Sequence, residues 1–264
     1  MTALFPAGTF APDPRPSGVA RMLAAQYGLD VRLLLRNGEQ LLLTMFIPVT
    51  LLIGLTVLPL GSFGERRADV FVPAIMAIAV TSTAFTGQAI AVAFDRRYGA
   101  LKRLGATALP VWCIIAGKSL AVVSVVLLQM ILLGGIGFAL GWRPHPAGLL
   151  LGGLIVALGT VVFAAMGLLL GGTLRAEIVL ALANLLWFVF AGLGALTLET
   201  GTGPGTITGT LSWLARLTPS GALTEALSQA VGSAGPTVDW SGIVVLVVWG
   251  SACALAALRW FRFS

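Results

Sequence analysis

The chain has 264 residues, 58% of them hydrophobic and 10% charged, where soluble domains carry about 25% charged residues. That excludes an ordinary soluble globular domain, and spans of about 20 apolar residues each leave no room for a separate catalytic domain. The net charge of +6 is scattered between apolar stretches, which points to membrane topology and away from nucleic acid.

Residues 1–17 hold Pro6, Pro12, Pro14 and Pro16 without an apolar run, which predicts a disordered cytoplasmic tail rather than a signal peptide. Over 18–38, Val19, Leu23, Tyr27, Val31 and Leu34 share one helical face, with Arg21, Arg32 and Arg36 roughly opposite. This predicts an amphipathic interfacial helix at the lipid surface; packing against other protein is the competing reading.

Six spans follow, at Leu41–Leu60, Val70–Phe94, Ser119–Leu140, Ala147–Gly171, Ile178–Leu198 and Ser241–Leu258. None has an acidic or basic residue in its interior, where each would cost roughly 2.5–3.5 kcal/mol. Pro48 predicts a kink in the first. Residues 18–264 then form a single membrane domain of all-α class. With the N-terminus inside, Lys and Arg number twelve on the cytoplasmic side and four outside, so both termini are expected in the cytoplasm. Cys113 and Cys253 fall near cytoplasmic span ends, so no disulfide is expected, and the lone His145 argues against a haem or zinc site.

Between spans five and six, the runs around Leu211–Leu217 and Leu223–Val231 are each too short to cross the bilayer. Thr218-Pro219 between them supplies an N-cap followed by proline at the first helical position. An external re-entrant helical hairpin is expected, with a surface loop bearing one short helix as the alternative. Gly148/Gly152 and Gly167/Gly171, spaced by four in the fourth span, predict close helix packing.

Gly117-Lys118-Ser119 imitates the end of a phosphate-binding loop, but Trp112 stands where that loop needs glycine. This chain is therefore expected to bind neither ATP nor Mg and to hydrolyse nothing. Gln88, Gln129 and Asn184, with the run Thr81-Ser82-Thr83 and Thr86, are polar groups inside spans. They either line a substrate path, together with Trp187 and Phe188, or hydrogen-bond between helices. The loop from Asp95 to Pro110 is basic, with Leu101 and Leu104 one turn apart. Composition leaves open whether it meets lipid or a cytoplasmic partner.

The loop Arg97-Tyr98-Gly99-Ala100-Leu101-Lys102-Arg103-Leu104, followed by Thr107-Ala108-Leu109 and Gly117-Lys118, resembles that of type-2 ABC exporter permeases. These include daunorubicin-resistance-type drug exporters and polysaccharide or lipid exporters. The length, the spans, the amphipathic helix, Ile47-Pro48 and Leu217-Thr218-Pro219 match as well, whereas Ala108 stands where the family usually has proline. The resemblance implies a coupling helix at 97–105 docking on a separate ATPase. Leu101 and Leu104 would be its buried anchors, Arg97, Lys102 and Arg103 would meet an acidic rim, and Tyr98, Gly99 and Gly105 would complete the surface. It further implies two ATPase subunits holding ATP and Mg, a second permease subunit (a homodimer rather than a heterodimer), and a bacterial inner membrane. The cargo would be a hydrophobic or amphipathic drug, lipid or glycolipid moving outward. A secondary transporter or channel is the alternative, but proton-driven carriers usually keep an ionisable group in the bilayer, and these spans have no carboxylate. A lipid-modifying enzyme would need clustered acids or histidines, and Asp95 and Glu177 stand apart in sequence.

Overall fold

The computed structural model describes residues 17–58, 67–107, 109–198, 207–232 and 235–260. Most of the expected tail, the end of the first span at 59–60 and Ala108 lie outside the described residues. Every regular element described is helical: α1 Val19–Arg36, α2 Gly38–Val57, α3 Arg67–Val80, α4 Gln88–Arg97, α5 Ala100–Gly105 and α6 Val111–Ala139. After these come α7 Pro146–Thr173, α8 Ala176–Leu196, α9 Ile207–Arg216, α10 Pro219–Ala230 and α11 Trp240–Trp260.

Five helical stretches are long and apolar enough to cross a membrane, and α2 adds a shorter apolar helix over Thr44–Val57. The chain is an integral, multi-pass, all-α membrane protein. Two expected boundaries change. The third span begins at Val111 rather than Ser119, because Pro110 is its N-cap and the helix runs unbroken past Lys118. The second runs over Arg67–Arg97 and is not α-helical throughout: Thr81–Gly87 forms a π-helix joining α3 to α4. Threonine hydroxyls there find partners away from their own amides. Thr83 Oγ1 donates to Gln129 Oε1 at 3.0 Å, and Thr81 Oγ1 to Ala77 O at 3.0 Å. Such side-chain bonds compete with a regular helical ladder.

The α3–π–α4 span forms the centre of the bundle, with 78% of its apolar window buried against 17% for α8 and for α11. Phe190 of α8 reaches inward between Phe85 and Phe163, edge-on to each, with ring centroids 5.5 and 5.8 Å away. Central helix α7 meets two partners through its two glycine pairs. A Cβ on Gly148 would lie 2.5 Å from Ala230 O, and one on Gly171 would lie 2.4 Å from Ala89 O. Close packing at 148/152 and 167/171 is therefore what the fold requires, with α10 on the first pair and the α4 region on the second.

The hairpin expected between spans five and six is α9 and α10. Thr218 caps α10, its hydroxyl accepting from Gly221 N at 3.2 Å, and Pro219 occupies the first turn. A helix of 12 residues is too short to span. It sits instead among α3, α7, α8 and α11, with Ala222, Leu223, Ala226 and Leu227 buried.

Candidate functional site

At the opposite end of the bundle from α10, α4, α5, α6 and α1 converge. Gly99 separates α4 from α5 in a left-handed conformation, φ +72°, which glycine adopts without a Cβ penalty. The six-residue α5 then lies against the bundle. Leu101 is 1% exposed and packs with Val92, Ile114 and Leu168. Its expected role as a partner-facing anchor is corrected by this packing: it ties α5 to the protein's own spans. Leu104 is half-buried beside Leu109 and shares a groove with Met22, Ala25 and Leu29 of α1. What α5 turns outward is Lys102, Arg103 and Gly105, continued by exposed Arg97 and Tyr98.

The expected amphipathic helix exists as α1, and its inner face runs along α6. Gln26 and Asp30 are buried, and Tyr27 Oη lies 2.9 Å from Ser124 Oγ. Arg21, Arg32 and Arg36 stay exposed, as a surface helix requires. The close approach depends on Gly117, where a Cβ would fall 2.6 Å from Gln26 Cγ.

Lys118, the residue of the false phosphate loop, has a different employment. Its Nζ lies 2.7 Å from Asp95 Oδ2 at the end of α4 and 3.4 Å from Asp30 Oδ1 on α1. Gln26 Nε2 donates to the other Asp30 oxygen at 2.7 Å. Asp95, an isolated acid in the sequence, thus belongs to a cluster. Burial pushes the Asp30 carboxyl above the usual carboxylate range, against the opposing pull of Lys118 and the Gln26 hydrogen bond. One ammonium joins three helices, α1, α4 and α6.

Two neighbouring arginines extend the junction to α7 and α8. Arg96 donates to Gly171 O at 2.9 Å and Leu174 O at 3.1 Å, closing the carbonyl end of α7. Arg97 pairs with Glu177 in the first turn of α8.

The intramembrane residues considered as a substrate path do not converge. Gln129 is fully buried and accepts from Thr83 while donating to Thr44 O at 2.6 Å, cross-linking α6, the π-helix and α2. Gln88 is buried between α2, α4 and α6, lining a space of about 30 Å³, and its Nε2 has no hydrogen-bond partner among the described residues. Asn184 and Phe188 lie on the exposed face of α8, Asn184 donating to its own Leu180 O at 2.7 Å. Trp187 is half-buried, edge-on to Phe188 at 4.9 Å.

Sequence reasoning missed Asp30 and Lys118. The signals were Asp30 as the sole acid of an Arg- and Leu-rich helix, four residues after Gln26, and a lysine following a glycine near a span end.

Residues 48–259 match the family profile described as ABC-2 family transporter protein. No curated protein matches the chain.

Proposed function

The chain belongs to the ABC-2 family of transporter proteins, as an ABC transporter membrane subunit, and we propose that it serves an ATP-driven exporter of hydrophobic or amphipathic cargo. Family membership implies association with an ABC ATPase subunit. In this reading two such ATPases bind ATP and Mg beneath two copies of the chain. The bundle sits in a bacterial inner membrane with both termini and α5 in the cytoplasm.

The observation that carries the reading is the construction of α5. Leu101 fixes it to Val92, Ile114 and Leu168, so a push on α5 reaches α4, α6 and α7 together. Lys102 and Arg103 remain exposed for an acidic rim on the ATPase. Lys118 then links α4 and α6 to α1, so that the closing of the ATPases moves these helices as one body. The exposed α8 face with Asn184 and Phe188 suits a second copy, since an amide facing lipid is costly.

The test is co-purification with a co-expressed ABC ATPase subunit, followed by ATPase stimulation in vesicles. Lys102→Glu with Arg103→Glu should leave membrane insertion intact, because both side chains are exposed, and should cut binding and stimulation at least tenfold, about 1.4 kcal/mol. Wild-type binding and stimulation by the double variant would place the docking surface elsewhere.

A further inference from the structure

A cavity of about 570 Å³ lies between α7, α8 and α11, with Phe85 of the π-helix in its wall. Met166, Leu170, Leu186, Cys253 and Trp260 form most of the remainder. Its volume falls within the roughly 300–1,000 Å³ of small-molecule sites. Among the described residues its only wall hydroxyl, that of Thr173, is already committed, donating to Leu169 O at 2.7 Å. A bound water needs about 2–4 polar partners, and this wall does not offer them. The site is predominantly hydrocarbon, with the Cys253 thiol and the Trp260 indole N–H as its other polar side-chain groups.

Its shape and its mouth specify more. Met166 to Thr173 on α7, and Cys253 to Trp260 on α11, each run seven residues along the wall, or about 10 Å of depth at the helical rise. A narrow chain lying along the helices fits that extent. The shallow end is marked by Thr173 and Leu174 at the close of α7 and by Trp260 at the close of α11. Trp260 is 59% exposed, at the level where tryptophans border headgroups. Arg175 follows Leu174, Arg259 precedes Trp260, and both are exposed. The acid near this mouth, Glu177, is paired with Arg97. Two exposed cations thus adjoin, in sequence, the residues at the mouth of an apolar slot that starts at the membrane surface.

We propose that this cavity binds the apolar tail of an acidic amphiphile from the leaflet at the α5 end, with Arg175 and Arg259 facing its headgroup. The proposal stands whether or not an ATPase drives the chain, and its test needs no ATPase. The full chain is placed in phosphatidylcholine nanodiscs doped with phosphatidylglycerol carrying a tail diazirine, illuminated, and mapped by mass spectrometry. Adducts should concentrate on Met166, Leu170, Leu186 and Cys253, several-fold above exposed Leu185 and Leu255. A choline-headed probe with the same tail should label about tenfold less, as expected for two nearby arginines. Arg175→Gln with Arg259→Gln should erase that headgroup preference and leave tail labelling in place. Leu170→Trp should cut the cavity adducts, and Met166→Phe reads the same loss should the tryptophan variant fail to insert. Even labelling of Leu185, Leu255 and the cavity residues, or equal labelling by the two probes, overturns the proposal.

Discussion

The two ends of the bundle balance backbone contact and charge differently. At the α10 end, backbones touch: Gly148 admits Ala230, Gly221 sits where a Cβ would lie 2.1 Å from Ala215 O, and Leu223 and Leu227 fill the core. At the α5 end, where Gly171 also meets the Ala89 carbonyl and Leu101 packs on the spans, charges are added to the joints: Lys118 with Asp30 and Asp95, Arg96 on the α7 carbonyls, Arg97 with Glu177. Backbone contact through glycine has one geometry and resists displacement. The ionic junction of Lys118, with Asp95 about one-third exposed, joins α1, α4 and α6 by charge. The α10 end is built to stay fixed, and the α5 end to move as a unit.

Breaking the fixed end should have the largest effect. Gly148→Val would drive a side chain into the Ala230 carbonyl, so the variant should yield little monodisperse protein on size-exclusion chromatography. Normal recovery would show that α10 yields, and the contrast between the ends would collapse. Next comes Lys118→Met. It leaves Asp30, 6% exposed at its side chain, without its cation, and breaking a buried pair costs about 3–5 kcal/mol. The protein should reach the membrane but melt at lower temperature, and adding Asp30→Asn to Lys118→Met, which removes the stranded carboxylate, should recover part of the loss. Absence of recovery would mean that α1 is held by Tyr27 and packing rather than by charge. The smallest effect belongs to Arg97 and Glu177, 49% and 64% exposed. A double-mutant cycle on their glutamine variants should give a coupling of about 0–1 kcal/mol that fades as salt is raised.

Local signals in the sequence were accurate where one segment settles the matter. Thr218-Pro219 marks the start of α10 because capping uses adjacent residues, and the glycine pairs of α7 announce close contact because their spacing is fixed by the helix. The loop 97–105 is legible as a short helix set off by Gly99. The direction of Leu101 was not, since a leucine one turn from another suits a partner's groove and the chain's own core equally. Neither was the charge cluster: Asp30 and Lys118 are 88 positions apart and Asp95 and Lys118 are 23 apart. No pattern within one helix reports such a meeting.

The π-helix at 81–87 has a consequence for the whole second span. Its wider turns leave α4 out of phase with α3, so a helical wheel drawn from Val70 assigns Asp95 and Arg96 to wrong faces. The phase slip is what aims Asp95 at Lys118 and Arg96 at Leu174 at once. Deleting one residue from this stretch, Ser82 for instance, would be absorbed as the wide turn closes to an α turn, whereas the same deletion within α4, Ile90 for instance, would swing everything after it about 100° around the helix axis and disconnect both contacts without altering either pair of side chains.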